Sequence, residues 1–270
     1  MNEFPIYLGS ILLEPNRWPD RPTTTYSRLS RLSGIRQGPP RIKVSEWLER
    51  AASDGFDGVE LWENHVLLCD NEEFSRLCSP PLPVAVYNSY FPLDDAGALR
   101  REVALEAMRE LGAQGVKYNF GENAGCTGEY LRNLRAWTAQ LDPGVRVICE
   151  CHGNDIAAKP EVAASLMESL GNDRFQCTVH FADEYMGRPL EDWLKHLGAR
   201  VRHVHVGRVV EHGKEAVRQR IRLLRDHGFS GTFTIEFTSG IDWGKPQLPV
   251  EELYARAVAD MLMLKEALQS

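Results

Sequence analysis

Four apolar segments in the second half of the chain end on side chains that bind metals or move protons. VICECHG (147–153) carries Glu150 and His152, and FQCTVHFA (175–182) carries His180. VRHVHVGR (201–208) carries His203 and His205, and TFTIEF (232–237) carries Glu236. A carboxylate at the end of an apolar run is costly unless it has a partner. One ion reached by all four segments would supply that partner. Two carboxylates and two imidazoles suit Mn²⁺, Zn²⁺, Fe²⁺ or Co²⁺. Glu150, His180, His205 and Glu236 are therefore the expected ligands, with Asp183 replacing His180 if that ring points elsewhere. Any one of these residues alone reads as structural. Their recurrence at consecutive segment ends favours a shared site.

Such a site needs elements that bring the four ends together, and the chain alternates accordingly. Strand-like runs at 5–13, 58–62, 83–90, 115–121, 146–153, 175–182, 201–208 and 231–240 are separated by helical patterns. The helical patterns lie at 44–55, 71–79, 95–112, 128–141, 159–171, 189–198, 214–228 and 249–268. Strands joined through helices run parallel. Eight strand–helix units in 270 residues predict an α/β protein with a single closed (β/α)₈ barrel over residues 1–270, rather than an open doubly wound sheet. No linker divides the chain.

In a barrel strand, residues i and i+2 share a face. Glu150 and His152 then point one way, and Cys149 and Cys151 point the other, toward the helices. The six cysteines contain no CxxC pair, so they read as packing thiols rather than a redox or zinc motif. Trp62 shares parity with Glu60, and Lys117 with Asn119. Trp62 reads as an apolar face for a sugar or as ordinary barrel packing. His152 reads as a substrate hydrogen-bonding residue or as support for a ligand. Arg208 reads as a holder of a substrate oxygen or phosphate, or as a partner of Glu211. Lys117, Asn119, Trp243 and Lys245 are weaker candidates for the rim.

One segment breaks the alternation. Residues 14–43 form a long connection after the first strand, on the side where barrels carry their active sites. It holds Arg17, Arg21, Arg28, Arg31, Arg36, Arg41 and Lys43 against Glu14 and Asp20. This is either a basic lid over an anionic or polar substrate, or a solvated or subunit-contacting loop.

Composition narrows the function. The chain is 43% hydrophobic and 26% charged, as expected of a globular protein with a large core. A net charge of −7 argues against a general nucleic-acid binder. No apolar run is long enough to span a bilayer, and the first residues lack the layout of a signal peptide. A cytoplasmic enzyme with free thiols is expected.

The late pattern Glu…(Asp/His)…His…Glu, together with DGFDGVELWENH (54–65), resembles the xylose isomerase-like barrel family across essentially the whole chain. That family includes ketose 3-epimerases, hydroxypyruvate isomerase, inosose dehydratase and, more distantly, endonuclease IV. Glu150 and Glu236 match its two metal-binding glutamates, His205 its seventh-strand histidine, and Glu60 its usual acidic position on the second strand. His180 falls where many members have aspartate. The resemblance implies a divalent metal, Mn²⁺ first, with Zn²⁺, Co²⁺, Fe²⁺ or Mg²⁺ as alternatives, and a sugar or sugar-derivative substrate, with no nucleic-acid or membrane partner. Assembly into dimers or tetramers is also common in the family.

The implied reaction is isomerisation or epimerisation through a metal-stabilised enediolate, with Glu150 and Glu236 as the acid/base pair and Glu60, Trp62, His152 and Arg208 against the substrate. The same proton abstraction can end in β-elimination on a keto-sugar, keto-glycoside or keto-inositol. An endonuclease IV-like phosphodiesterase would need several clustered metals, and the early half of the chain offers only His65 among histidines. A catalytically silent sugar- or metal-binding barrel would have no need of two glutamates.

Overall fold

The computed structural model describes residues 4–14, 40, 42–151, 153, 155–182, 187–241 and 248–270. Eight parallel strands close into a barrel in chain order. They are β1 (Ile6–Gly9), β2 (Gly58–Trp62), β3 (Val84–Asn88) and β4 (Gly115–Tyr118). β5 (Arg146–Glu150), β6 (Phe175–His180), β7 (Val201–Gly207) and β8 (Thr232–Phe237) complete it. The expected (β/α)₈ barrel is the observed one.

The helices follow the predicted spacing. They are α1 (Val44–Asp54), α2 (Glu63–Leu67), α3 (Asn71–Leu77) and α4 (Ala98–Glu110). Next come α5 (Thr127–Thr138), α6 (Pro160–Leu170) and α7 (Leu190–Leu197). α8 (Val209–His212), α9 (Lys214–Asp226) and α10 (Val250–Leu268) end the chain. α6 begins on Pro160, where a missing N–H costs nothing. α1 stops on Gly55 at φ 94°, a left-handed cap that suits glycine.

Three details differ from the sequence reading. The first strand is not the run 5–13: it ends at Gly9, and Ser10–Leu13 turn as a 3₁₀ helix. Ser10 Oγ takes the Trp62 backbone N–H at 2.9 Å, so a side chain holds the neighbouring strand where the backbone of β1 turns away. The short helices α2 and α8 follow directly on β2 and β7, where the sequence showed no helical period. Each has no more than five residues, too few to establish one.

The seam between β1 and β8 depends on a glycine. A Cβ on Gly9 would lie 2.8 Å from the carbonyl oxygen of Ile235 and 3.0 Å from the Cα of Glu236. Only a residue without a side chain lets the strands close there.

Outward strand residues pack with the helices in one apolar core. Val147, Cys149, Cys177, Val179, Val204, Phe233 and Ile235 all belong to it. Cys149, Cys151 and Cys177 are buried there, on the face that alternation assigns to them. Among the described residues no helix is long and apolar enough to cross a membrane. The proposed lid, 14–43, lies outside the described residues except for Glu14, Pro40, Ile42 and Lys43. Its two ends meet: Glu14 Oε1 accepts the Ile42 N–H at 3.2 Å.

Candidate metal centre

Inward positions of the strands carry polar side chains. Register sets their depth: Glu150 lies opposite Thr178, His180 opposite His205, and His205 opposite Thr234. The ends of β5, β6, β7 and β8 therefore deliver four side chains to one place. One ligand atom from each of Glu150, His180, His205 and Glu236 lies within 4.8 Å of the others, and all four residues are buried. His180 Nε2 is 3.4 Å from Glu150 Oε1, and His205 Nδ1 is 3.5 Å from the same oxygen. His205 Nδ1 is 3.2 Å and His180 Nδ1 3.8 Å from Glu236 Oε2.

Two of these atoms show what the cluster lacks. His205 Nδ1 and Glu236 Oε2 are buried and lie 3.2 Å apart, yet among the described residues neither is satisfied by a well-aligned hydrogen bond. Buried polar atoms are normally satisfied, and such exceptions need a reason. The cluster also favours positive charge. Burial alone would lower the pKa of His205, but the carboxylates of Glu236 and Glu60 outweigh it and raise the pKa well above the usual histidine range. Burial would raise the Glu236 carboxyl, but His205 outweighs it and holds the pKa below its ordinary value. A divalent cation matches this donor set and this field.

Below the cluster, Glu60 holds the other side of the His205 ring. Its oxygens lie 3.1 Å from His205 Nε2, and Oε2 lies 3.0 Å from His203 Nε2. Asn88 Nδ2 donates to Glu60 Oε1 at 2.8 Å. An ionised carboxylate only accepts, so His205 Nε2 carries hydrogen and its Nδ1 faces the cluster. A carboxylate behind a ligating imidazole fixes tautomer and orientation in this way. Burial, partly offset by Glu60, lowers the pKa of His203 to about 4, leaving that ring neutral. Its Nδ1 accepts from Thr232 Oγ1 at 2.7 Å. Glu60, His203 and His205 form a second group of potential ligands, but hydrogen bonds already join them.

The remaining candidates scatter. Trp62 is fully buried and meets His65 edge-on with ring centroids 5.4 Å apart. Arg208 donates to the Ile241 carbonyl at 2.8 Å and lies 4.0 Å from Glu211. Its φ of 53° makes it the only non-glycine residue with positive φ among those described. Strain of this kind collects at functional sites, and this one lies just beyond β7. His152, Asp183, Trp243 and Lys245 lie outside the described residues.

Two of the weaker rim candidates, Lys117 and Asn119, are closely engaged. Lys117, completely buried, donates to Glu150 Oε2 at 2.6 Å. Asn119 Nδ2 reaches the same oxygen at 3.3 Å and the Glu150 carbonyl at 3.2 Å. Asn88 went unnoticed, and its only signal was a polar residue at an inward position of a strand.

No family model matches the chain, and no curated protein matches it. Solved structures do. The probable 3-DHS dehydratase AsbF of Bacillus anthracis is 13% identical with a TM-score of 0.66, covering 97% of this chain and 99% of that one. D-Psicose 3-epimerase of Clostridium cellulolyticum H10, solved with D-tagatose, is 11% identical with a TM-score of 0.67, covering 86% and 96%. A xylose isomerase-like TIM barrel protein of Mycobacterium smegmatis, solved with magnesium, is 13% identical with a TM-score of 0.64, covering 98% of each chain. The chain shares the fold of these xylose isomerase-like barrels.

Proposed function

We propose that the chain is a divalent-metal-dependent isomerase or epimerase of a sugar or sugar derivative. Glu150, His180, His205 and Glu236 hold the ion, and the two glutamates serve as the acid/base pair. The observation that carries this reading is the convergence of ligand atoms from four buried residues, with His205 Nδ1 and Glu236 Oε2 left without well-aligned hydrogen bonds among the described residues. Mn²⁺ is the ion proposed, in keeping with two carboxylates beside two imidazoles. When bound, the ion supplies Lewis-acid stabilisation of the negative charge that builds on substrate oxygens as the adjacent carbon loses its proton.

The chain's own residues do the rest. Glu236 is the group to take a proton from a carbon beside a carbonyl, and Glu150 stands across the cluster as the other member of the pair. Glu60 holds the His205 ring in the orientation that turns Nδ1 toward both carboxylates. The low dielectric of the buried cluster strengthens each of these interactions. Substrate contacts from His152, Arg208, Trp62 and Glu60 are part of the proposal. Because Glu60 already serves two histidines and Asn88, its reach to substrate runs through His205. The setting proposed is cytoplasmic, without nucleic acid, in a chain that forms one domain and assembles with copies of itself.

The fold shared with a probable dehydratase favours a second reading. The first proton transfer is the same, and the reaction ends in β-elimination instead. Metal analysis and deuterium exchange from D₂O into a panel of ketoses and keto-glycosides test both. Exchange with isomer formation supports the first reading, and release of water or an aglycone supports the second. A metal-free protein that exchanges no substrate in the panel refutes both.

A further inference from the structure

We propose that Lys117 is a positioning residue that reserves one oxygen of Glu150, so that Glu150 meets the ion through Oε1 alone. The inference rests on the metal-centre reading above and concerns how open that centre is.

The two glutamates stand in different surroundings. Glu150 Oε2 accepts from Lys117 Nζ at 2.6 Å and from Asn119 Nδ2 at 3.3 Å. Glu150 Oε1 is the oxygen that faces His180 Nε2 at 3.4 Å and His205 Nδ1 at 3.5 Å. Among the described residues Glu236 has no such cation, and its Oε2 faces histidine nitrogens at 3.2 and 3.8 Å. Lys117 is itself held in place. It is completely buried, its Nζ lies 3.8 Å above the centre of the Tyr90 ring, and Asn119 Oδ1 is 3.4 Å away. A flexible lysine with water at hand makes a weak, mobile ion pair. One enclosed by a ring, an amide and a carboxylate makes a short, fixed one.

This arrangement carries a cost and brings a benefit. A fixed positive charge beside a ligand carboxylate repels a dication and weakens its binding. A carboxylate limited to one oxygen leaves the ion with more open positions. With four side chains each giving one atom, a six-coordinate ion would keep two positions for neighbouring carbonyl and hydroxyl oxygens of a substrate. A chelating Glu150 would take one of them. Lys117 thus trades affinity for the metal against room for the substrate.

The sign of the effect separates this from a merely structural lysine. Lys117→Met keeps the length of the side chain and removes its charge. Mn²⁺ titrated into the metal-free full chain by calorimetry is expected to bind the variant about tenfold more tightly than the native protein. A lysine that only supports the fold predicts weaker binding, and unchanged or weaker binding in a folded variant overturns the proposal. If Lys117→Met does not fold, a crystal structure of the native protein soaked in Mn²⁺ decides. Glu150 bound through one oxygen, with Lys117 still on the other, supports the proposal, and two-oxygen binding overturns it. A native protein that takes up no Mn²⁺ removes the metal-centre reading and this inference together. Metal uptake with a chelating Glu150 removes the inference alone.

Discussion

Ile235 and Glu236 are consecutive residues of β8, both are buried, and their surroundings are opposite. Ile235 belongs to the apolar layer between strands and helices. Glu236 faces the barrel axis, where His205, His180 and Glu150 surround it. The contrast holds along the strand walls. Outward positions of β5 to β8 carry valine, cysteine, phenylalanine and isoleucine. Inward positions carry Glu150, Thr178, His180, His203, His205, Thr232, Thr234 and Glu236, all buried or nearly so. Barrel interiors are usually filled with bulky branched side chains. Here the outer layer and a small inner cluster of Tyr7, Ala85, Val86 and Ile148 supply hydrophobic stabilisation, and the polar inward positions are given over to groups that must hold one another in place. Changes in the outer layer should therefore cost stability alone, whereas changes in the interior should also alter metal binding and chemistry.

Glu236→Gln should have the largest effect. On the proposed reading it removes a ligand charge and a proton carrier, so turnover should fall by roughly 10²–10⁴-fold. Steady-state rates on whichever substrate shows exchange would check this, and near-native turnover would remove Glu236 from its role.

Glu60→Ala comes next. Removing one partner of a buried charged network costs about 3–5 kcal/mol, because the partners stay buried without it. Release of the His205 ring should also weaken metal binding roughly 10- to 100-fold. Denaturant unfolding and metal titration on the same variant test both effects. A loss of stability with unchanged metal affinity would mean that Glu60 only fills the barrel.

Ile235→Val is the outward counterpart of the first change, one residue away. It should cost about 1 kcal/mol of stability, as for deletion of one buried methyl group, and leave metal affinity unchanged. A shift in affinity would break the division between the two faces.

The smallest effect should come from Asp260 in α10, a buried carboxylate of the outer layer. It accepts the Val210 N–H and the Thr238 hydroxyl, and burial, partly offset by these bonds, raises its pKa above the ordinary value. The folded state then holds the proton more tightly than the unfolded state. Asp260 contributes most below its unfolded pKa of about 4, and that contribution is lost as pH rises through the folded value. Asp260→Asn cannot ionise. Its stability relative to the native protein should therefore rise between pH 4 and pH 7 in urea unfolding, and a flat difference would show that Asp260 is not perturbed.

Much of this was legible in the sequence. The eight strand–helix units and the barrel they form follow from period and turn residues, because both are local properties of the chain. Alternation alone turned Cys149 and Cys151 outward and Glu150 inward, and it placed His180, His205 and Glu236 on inward positions. Less legible were features with short or distant causes. The early end of β1 depends on Ser10 meeting the backbone of Trp62, 52 residues away. α2 and α8 are too short to leave a period.

The sequence by itself determined which residues face the axis and which are able to ligate, since parity and donor chemistry are written residue by residue. Only the tertiary structure decided their pairing. Glu60 meets His203 and His205 from more than 140 positions away, and Lys117 meets Glu150 across 33. Strand register and barrel closure set those distances, and neither can be read from one strand. A lysine that looked like a minor rim residue thus proves to be the charge partner of a candidate ligand, and the two glutamates, alike in sequence, stand in unequal surroundings.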